Sequence, residues 1–269
     1  MQLEPGHKII IFTDMDGTLL DHHTYSWQPA TPMLAKLKAL NIPVICNTSK
    51  TFAEVVDLQQ AIELDGPFIV ENGAAIYPRV EKGNSHSDYQ PMHRLGADRV
   101  SVLTLLAELR CQGFKFVGFN DWSTEEIAEH TGLEIKQAEQ AGNRHFSEPI
   151  IWQDTEAQKT RFLNILNQHD LVGLQGGRYL SIQGLSDKGK ALLWLKQYYQ
   201  SLWNEPVITI ALGDSANDIA MLEVADISIW IKSEKAFPKL NKTKQVIYSN
   251  GLGPIGWNET LDHILLNYK

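Results

Sequence analysis

The sequence predicts an α/β protein: a doubly wound, mainly parallel sheet with an α+β module inserted into it. Three observations predict this. Short apolar runs rich in β-branched residues alternate with helical stripes at the N-terminal end, the same alternation returns near the C-terminal end, and a stretch of different patterning separates them.

The first run, Lys8-Ile9-Ile10-Ile11-Phe12-Thr13, has no polar alternation, which fits a strand covered on both faces of a parallel sheet. A helix follows from about Thr31, with Pro32 in its first turn and Met33, Leu34, Leu37 and Leu40 on its apolar side. A second strand at Ile42–Cys46 ends in polar Asn47-Thr48-Ser49-Lys50. A helix over Phe52–Leu64 and a strand over Pro67–Val70, ending at Glu71-Asn72-Gly73, complete the first half. This order implies right-handed crossovers. Near the other end, Lys190–Trp203 carries one helical stripe, Val207–Leu212 reads as a strand ending at Gly213-Asp214, Ile219–Val224 as a helix and Ile227–Ile231 as a strand. Between the halves, Pro78–Pro91 is polar and turn-rich and reads as a boundary. A helix at Ala97–Arg110 and strands around Phe114–Phe119, Pro149–Gln153 and Tyr179–Gln183 suggest a smaller α+β module. The expected domains are therefore 1–85 plus 186–269 for the core and 86–185 for the insertion.

The composition is that of an ordinary globular chain: 43% hydrophobic and 21% charged residues over 269 positions. With 24 Lys+Arg against 32 Asp+Glu, the formal net charge of −8 argues against a nucleic-acid binder held by a general basic field. Cys46 and Cys111 lack metal or disulfide spacing and are expected to be buried apolar residues in a reducing compartment. No apolar stretch is long enough to span a bilayer, and residues 1–6 lack a secretory pattern, so a soluble cytoplasmic protein without a membrane partner is expected.

Chemistry concentrates where predicted strands end. In open α/β sheets, ligands bind beyond the carboxyl ends of the strands. Asp14-Met15-Asp16-Gly17-Thr18 places two carboxylates there. Asp14 is positioned to attack phosphorus and form an aspartyl-phosphate, and Asp16 to protonate the leaving oxygen and later deprotonate water. Carboxylates this close repel, which calls for a hard, oxygen-preferring cation such as Mg²⁺. A plain hairpin turn at Asp16-Gly17 is the bland alternative. A calcium loop fails on spacing, because Tyr25 stands where its twelfth-position Glu belongs. Gly213-Asp214-Ser215-Ala216-Asn217-Asp218 ends a second strand in the same way. Asp214 is suited to complete a metal site with Asp14, Asp218 to support it directly or through water, and Asn217 to fix neighbouring ligands. Helix capping is the competing reading. Thr48 and Ser49 sit at a strand–helix junction that suits an anion. Lys188 opens a helix, where its charge opposes the dipole, and is suited to offset phosphoryl charge. Read singly, capping and a solvated surface lysine are the better explanations of these residues.

Taken together and in order, Asp14-Met15-Asp16-Gly17-Thr18, Thr48, Lys188 and Gly213-Asp214 with Asn217-Asp218 resemble the four motifs of the haloacid-dehalogenase-like superfamily. The resemblance implies Asp14 as nucleophile, Asp16 as acid/base, Mg²⁺ bound by Asp14, the Asp16 backbone carbonyl and Asp214, and phosphate held by Thr48 and Lys188. Asp16 matches the phosphatase and phosphomutase branches rather than the dehalogenases. An insertion between the second and third motifs is similar to the Cof-type subgroup, in which an α+β cap selects the substrate. Glu71-Asn72-Gly73-Ala74 and Met221-Leu222 match that subgroup too. Thr48-Ser49-Lys50-Thr51 departs from its commoner Thr-Gly-Arg, and with Phe146-Ser147-Glu148-Pro149 it looks like the mannosyl-3-phosphoglycerate phosphatases. Asn72, Glu148 and Arg178 are the candidate substrate contacts, Arg178 for a carboxylate or phosphoglycerate and Glu148 for sugar hydroxyls.

The expectation is a Mg²⁺-dependent phosphatase acting on a small phosphorylated metabolite, mannosyl-3-phosphoglycerate or a related glycosyl-phosphoglycerate. A sugar-phosphate phosphatase or a phosphomutase of the same fold is the enzymatic alternative. A non-catalytic metabolite-binding protein predicts a broken catalytic set, whereas every member of this one is present.

Overall fold

Ile9, Ile10, Ile11 and Phe12 are each at most 2% exposed, so the first strand lies inside a sheet with both faces covered. The computed structural model describes residues 6–81, 89–176, 178–233, 240–241 and 246–266. In chain order the first half holds β1 (Lys8–Thr13), α1 (Thr31–Ala39), β2 (Val44–Cys46), α2 (Phe52–Ile62), β3 (Phe68–Val70), β4 (Ala75–Tyr77) and β5 (His93–Arg94). The middle holds α3 (Arg99–Cys111), β6 (Phe116–Gly118), α4 (Thr124–Thr131), α5 (Ile135–Gly142), β7 (Ser147–Trp152), α6 (Glu156–Gln168), β8 (Leu171–Gln175) and β9 (Leu180–Gly184). The last part holds α7 (Lys188–Trp203), β10 (Val207–Gly213), α8 (Ile219–Val224), β11 (Ile227–Lys232), β12 (Val246–Leu252) and α9 (Gly253–Ile264). Among the described residues no helix is long and apolar enough to cross a membrane.

Two compact units emerge. The first comprises Met1–Thr48, Ile62–Ile69 and Asp187–Lys269. Its sheet has the order β12-β11-β10-β1-β2, with every described pairing parallel. Register aligns Thr13 with Leu212 on one side and with Cys46 on the other, so three strand ends converge at one edge. β3 continues the parallel sense through a bridge between Ile69 and Asn47. α1 starts with Pro32 in its first turn, as expected, and buries Met33 and Leu37, one turn apart. α7 begins where the Asp187 side chain accepts the Lys190 N–H at 2.7 Å, and it ends at Asn204 in the left-handed region (φ 53°).

The second unit comprises Ser49–Ala61 and Val70–Ser186. Its main sheet, β6-β7-β9-β8, is antiparallel, and α3 and α6 cover it with Val102, Leu105, Leu106, Leu109, Phe162 and Leu166. α4 and α5 form a smaller cluster around Phe119, Ile127, Ala138 and Ala141. The chain before residue 86 contributes more to this unit than the expected 85/86 division implies, and hydrogen bonds, buried or partly buried, give the reason. Glu71 accepts the His145 and Phe146 N–H groups at 2.9 and 3.1 Å and the Ser147 hydroxyl at 2.6 Å. Arg144 donates to the Ser49 carbonyl at 2.8 Å, and Thr51 to that of Gln140 at 2.9 Å. The expected boundary stretch Pro78–Pro91 includes residues 82–88, which lie outside the described residues.

Cys46 is buried in β2, and burial pushes its thiol up to about 12. Cys111 corrects the sequence reading, because it is exposed. The stripe Val102, Leu105, Leu106, Leu109 faces the sheet, and the last residue of α3 points off that stripe.

Candidate active site

The site lies at the carboxyl edge of the first unit, where β1 and β10 end side by side. The Asp14 N–H donates to the Leu212 carbonyl at 2.9 Å, which carries the β1–β10 ladder one residue past the strand and fixes Asp14 beside Gly213-Asp214. Chain continuity from β2 then brings Asn47, whose N–H donates to the Thr13 carbonyl at 2.8 Å, and Thr48, whose N–H donates to the Ile69 carbonyl at 3.2 Å.

Lys188, the first residue of α7, is fully buried, and its Nζ donates to Asp14 Oδ1 and to Asp218 Oδ1, both at 2.6 Å. This explains the cation at a helix N-terminus: two carboxylates more than offset the helix dipole. Burial alone would lower the ammonium, but the charges of Asp14 and Asp218 outweigh it and hold it above the ordinary lysine value. The second oxygen of Asp218 accepts the Asp214 and Ser215 N–H groups, each at 3.0 Å, so Asp218 shapes the loop as well as pairing with Lys188. Asp214 Oδ1 accepts the Thr18 hydroxyl at 3.2 Å. Asn217 accepts the Ser215 hydroxyl at 2.5 Å, within the same turn.

Two glycines make this approach possible. Gly17 has φ +80°, and a Cβ there would lie 2.8 Å from Asp214 Oδ2. A side chain at Gly213 would run into the Cβ of Asp218. With Asp16, Gly17 belongs to a tight turn in which the Gly17 N–H donates to the Leu20 carbonyl at 2.8 Å. The turn reading of Asp16-Gly17 and the chemical one are therefore compatible: the turn is what presents the acids.

Asp14, Asp214 and Asp218 each offer a carboxylate oxygen, and these oxygens lie within 4.8 Å of one another. Burial, and then the charge of Asp218, raise Asp14 well above the carboxylate range, with Lys188 opposing them. The same two causes raise Asp214 to about 7. One ammonium among three carboxylates leaves unbalanced negative charge on an all-oxygen donor set, which suits a hard divalent cation.

Thr48 is buried at the end of β2. Ser49 falls in the second unit, where its carbonyl is held by Arg144. In that unit Asn72 is buried and donates to Gln183 Oε1 at 3.3 Å. Its φ of 56°, next to 47° at Glu71, is a left-handed pair rarely adopted by non-glycine residues. Glu148 is buried with both oxygens engaged: Oε2 by Arg99 at 2.6 and 3.0 Å, and Oε1 by the Asn120 N–H at 2.7 Å. Arg178 is exposed and donates to the His130 carbonyl at 2.6 Å. Two site residues had no role in the sequence reading. Thr18 had a local signal, its place next to Asp16-Gly17. Asn47, whose side chain reaches α7, had none, because that contact joins positions far apart in the chain.

The haloacid dehalogenase-like hydrolase family model matches residues 11–250. A glucosyl-3-phosphoglycerate/mannosyl-3-phosphoglycerate phosphatase of Methanococcoides burtonii is 37% identical over 265 residues, covering 94% of this chain and 96% of that protein. Among solved structures, a phosphatase of the same superfamily from Bacteroides thetaiotaomicron superposes with a TM-score of 0.68 at 18% identity, over 97% of this chain and 98% of that one. The sucrose-phosphatase of Synechocystis sp. PCC6803 gives 0.61 at 15% identity, over 96% and 98%. Those two likenesses speak to the fold; the family match and the 37% identity speak to the chemistry. On that footing the chain belongs to the haloacid dehalogenase-like hydrolase family, as a hydrolase of phosphoric monoesters.

Proposed function

We propose that this protein is a Mg²⁺-dependent phosphatase that cleaves the phosphomonoester of a glycosyl-3-phosphoglycerate, mannosyl- or glucosyl-3-phosphoglycerate. The observation that carries the catalytic part is the buried Lys188 ammonium, 2.6 Å from both Asp14 and Asp218, beside Asp214. Support for the substrate comes from the 37% identical relative, whose name carries both glycosyl-phosphoglycerates.

Asp14, Asp214 and the Asp16 carbonyl would hold Mg²⁺, with Asp218 beside them, directly or through water. Bound there, the ion would neutralise phosphoryl charge and favour the ionised forms of Asp14 and Asp214, which burial and then the charge of Asp218 disfavour. In this reading an ionised Asp14 oxygen attacks phosphorus while the ester P–O bond breaks, and Asp16 gives its proton to the leaving alkoxide. Asp16 then takes a proton from water as that oxygen attacks the aspartyl-phosphate, releasing inorganic phosphate and the Asp14 carboxylate. Lys188, Thr48 and Ser49 carry the phosphate oxygens. Asn72, Glu148 and Arg178 are proposed to serve substrate selection in the second unit. With two cysteines and neither in a disulfide, a reducing cytoplasmic setting accompanies the proposal.

A phosphate-release assay with Mg²⁺ across mannosyl- and glucosyl-3-phosphoglycerate, phosphoglycolate and sugar phosphates tests it. The glycosyl-3-phosphoglycerates should show the highest kcat/KM. A preference of tenfold or more for another phosphomonoester would reject the substrate, and phosphoryl transfer to product without free phosphate would indicate a mutase.

A further inference from the structure

We propose that Asn47 is a positioning residue for Lys188, setting the main chain from which that ammonium reaches Asp14 and Asp218; this rests on reading Lys188 as the cation facing the transferring phosphoryl group. The Asn47 side chain is fully buried, and its Nδ2 donates to the Lys188 carbonyl at 2.9 Å. The same Nδ2 lies 3.2 Å from Met221 Sδ on α8. On its backbone side Asn47 is pinned by the Thr13 carbonyl at 2.8 Å and by the bridge to Ile69. One residue thus ties the end of β2, next to Thr48, to the first residue of α7.

This bond is distinct from the capping of α7, which Asp187 performs on the Lys190 N–H. A lysine side chain has four rotatable carbons, so its head is fixed only as well as its main chain is. Displacements of about 1 Å at such groups cost on the order of a hundredfold in rate.

The second amide atom argues against a purely structural role. Asn47 Oδ1 is buried and has no hydrogen-bond partner among the described residues. A buried polar atom left in that state is a net cost, and leucine, of similar shape, would remove it. Asparagine is therefore a poor choice for stability here, while its N–H₂ group supplies a donor that leucine lacks.

The test is a double-mutant cycle with p-nitrophenyl phosphate and Mg²⁺, a substrate that makes the outcome independent of the glycosyl-phosphoglycerate assignment. Asn47→Leu should lower kcat about tenfold, with KM changed less than about threefold and melting temperature close to wild type. In a Lys188→Ala background the same substitution should change kcat less than about twofold, since nothing remains to position. An unchanged kcat in N47L, or a full loss repeated on top of K188A, overturns the proposal. Should N47L not fold, Asn47→Ala enters the same cycle. A crystal structure of the folded variant gives a readout without catalysis: Lys188 Nζ must leave its position 2.6 Å from Asp14 or Asp218, and retention of both contacts rejects the idea. A wild type inactive on every phosphomonoester would sink the phosphatase reading alone and leave that structural outcome to judge Asn47.

Discussion

Lys188 Nζ lies 2.6 Å from Asp14 Oδ1 in a setting almost closed to water: the lysine is fully buried and the aspartate 5% exposed. Removing one member of such a pair strands the other as an uncompensated buried charge, at about 3–5 kcal/mol. Here the stranded charges would be two, Asp14 and Asp218. Lys188→Met, close in length, should therefore destabilise the Mg²⁺-free protein by about that amount, read by urea unfolding. A midpoint equal to wild type would show that the ammonium is not balancing those carboxylates.

Asp14→Asn preserves shape and the Lys188 contact but takes away the attacking oxygen's charge. Phosphate release should fall by about a thousandfold or more, with melting temperature maintained or raised, because Asp14 is held in a setting that resists ionisation. Residual activity above a few per cent would reject Asp14 as the nucleophile.

Asp214 gives a pH dependence with a defined sign. Burial and the neighbouring Asp218 raise its carboxyl from 3.8 to about 7, so the folded chain holds this proton more tightly than the unfolded one. The stability this supplies is complete below the lower value and is lost as pH rises through the upper one. Without Mg²⁺, the stability difference between wild type and Asp214→Asn should shift against wild type across that window. Mg²⁺ needs the ionised carboxylate, so its stabilisation of wild type should be larger at about pH 8 than at about pH 5.5. Equal Mg²⁺-induced shifts at both pH values would contradict the assignment of Asp214 as a ligand.

Gly17 is tested by a single methyl group. Gly17→Ala forces a left-handed alanine, at about 1–2 kcal/mol, and sets a Cβ 2.8 Å from Asp214 Oδ2. Mg²⁺ affinity, measured by calorimetry, should drop at least tenfold. Unaltered affinity would place the ion elsewhere.

In the second unit, buried Glu148 is paired with half-buried Arg99, the side chains being 2% and 18% exposed. Arg99→Ala should destabilise this unit by about 3–5 kcal/mol, leaving Glu148 with the Asn120 N–H as its remaining described partner. If thermal unfolding is unchanged while KM for substrate rises, the pair serves recognition rather than architecture.

Much of the fold could be read locally. Pro32 marked the start of α1, the stripe through Leu192 and Leu195 marked α7, and α8 begins and ends where the pattern placed it. α9 was not read, because its opening Gly253-Pro254-Ile255-Gly256 looks like a loop; its helix is held by buried Trp257 and Leu261, which only packing reveals. α4 and α5 escaped for a related reason: each is 8 residues long and polar, and each buries its apolar side against the other's.

For the site, sequence alone determined which residue types stand at the strand ends, because a carboxylate directly after an apolar run is a local pattern. Asp14, Asp16 and Asp214 were named that way, Asp218 by its place in the same short segment, and Lys188 as a cation at a helix start. Tertiary structure decided what they do to one another. It closed 174 residues of chain to set Lys188 between Asp14 and Asp218, turned Gly17 toward Asp214, and hung Lys188 from Asn47. It also showed Glu148 engaged by Arg99 and the segment from Ser49 to Ala61 packed with the second unit. The physical reason is range. Propensity and periodicity act over a few residues, whereas a buried charge is tolerable only opposite its counter-charge, and that partner is supplied by the folded sheet from any distance along the chain.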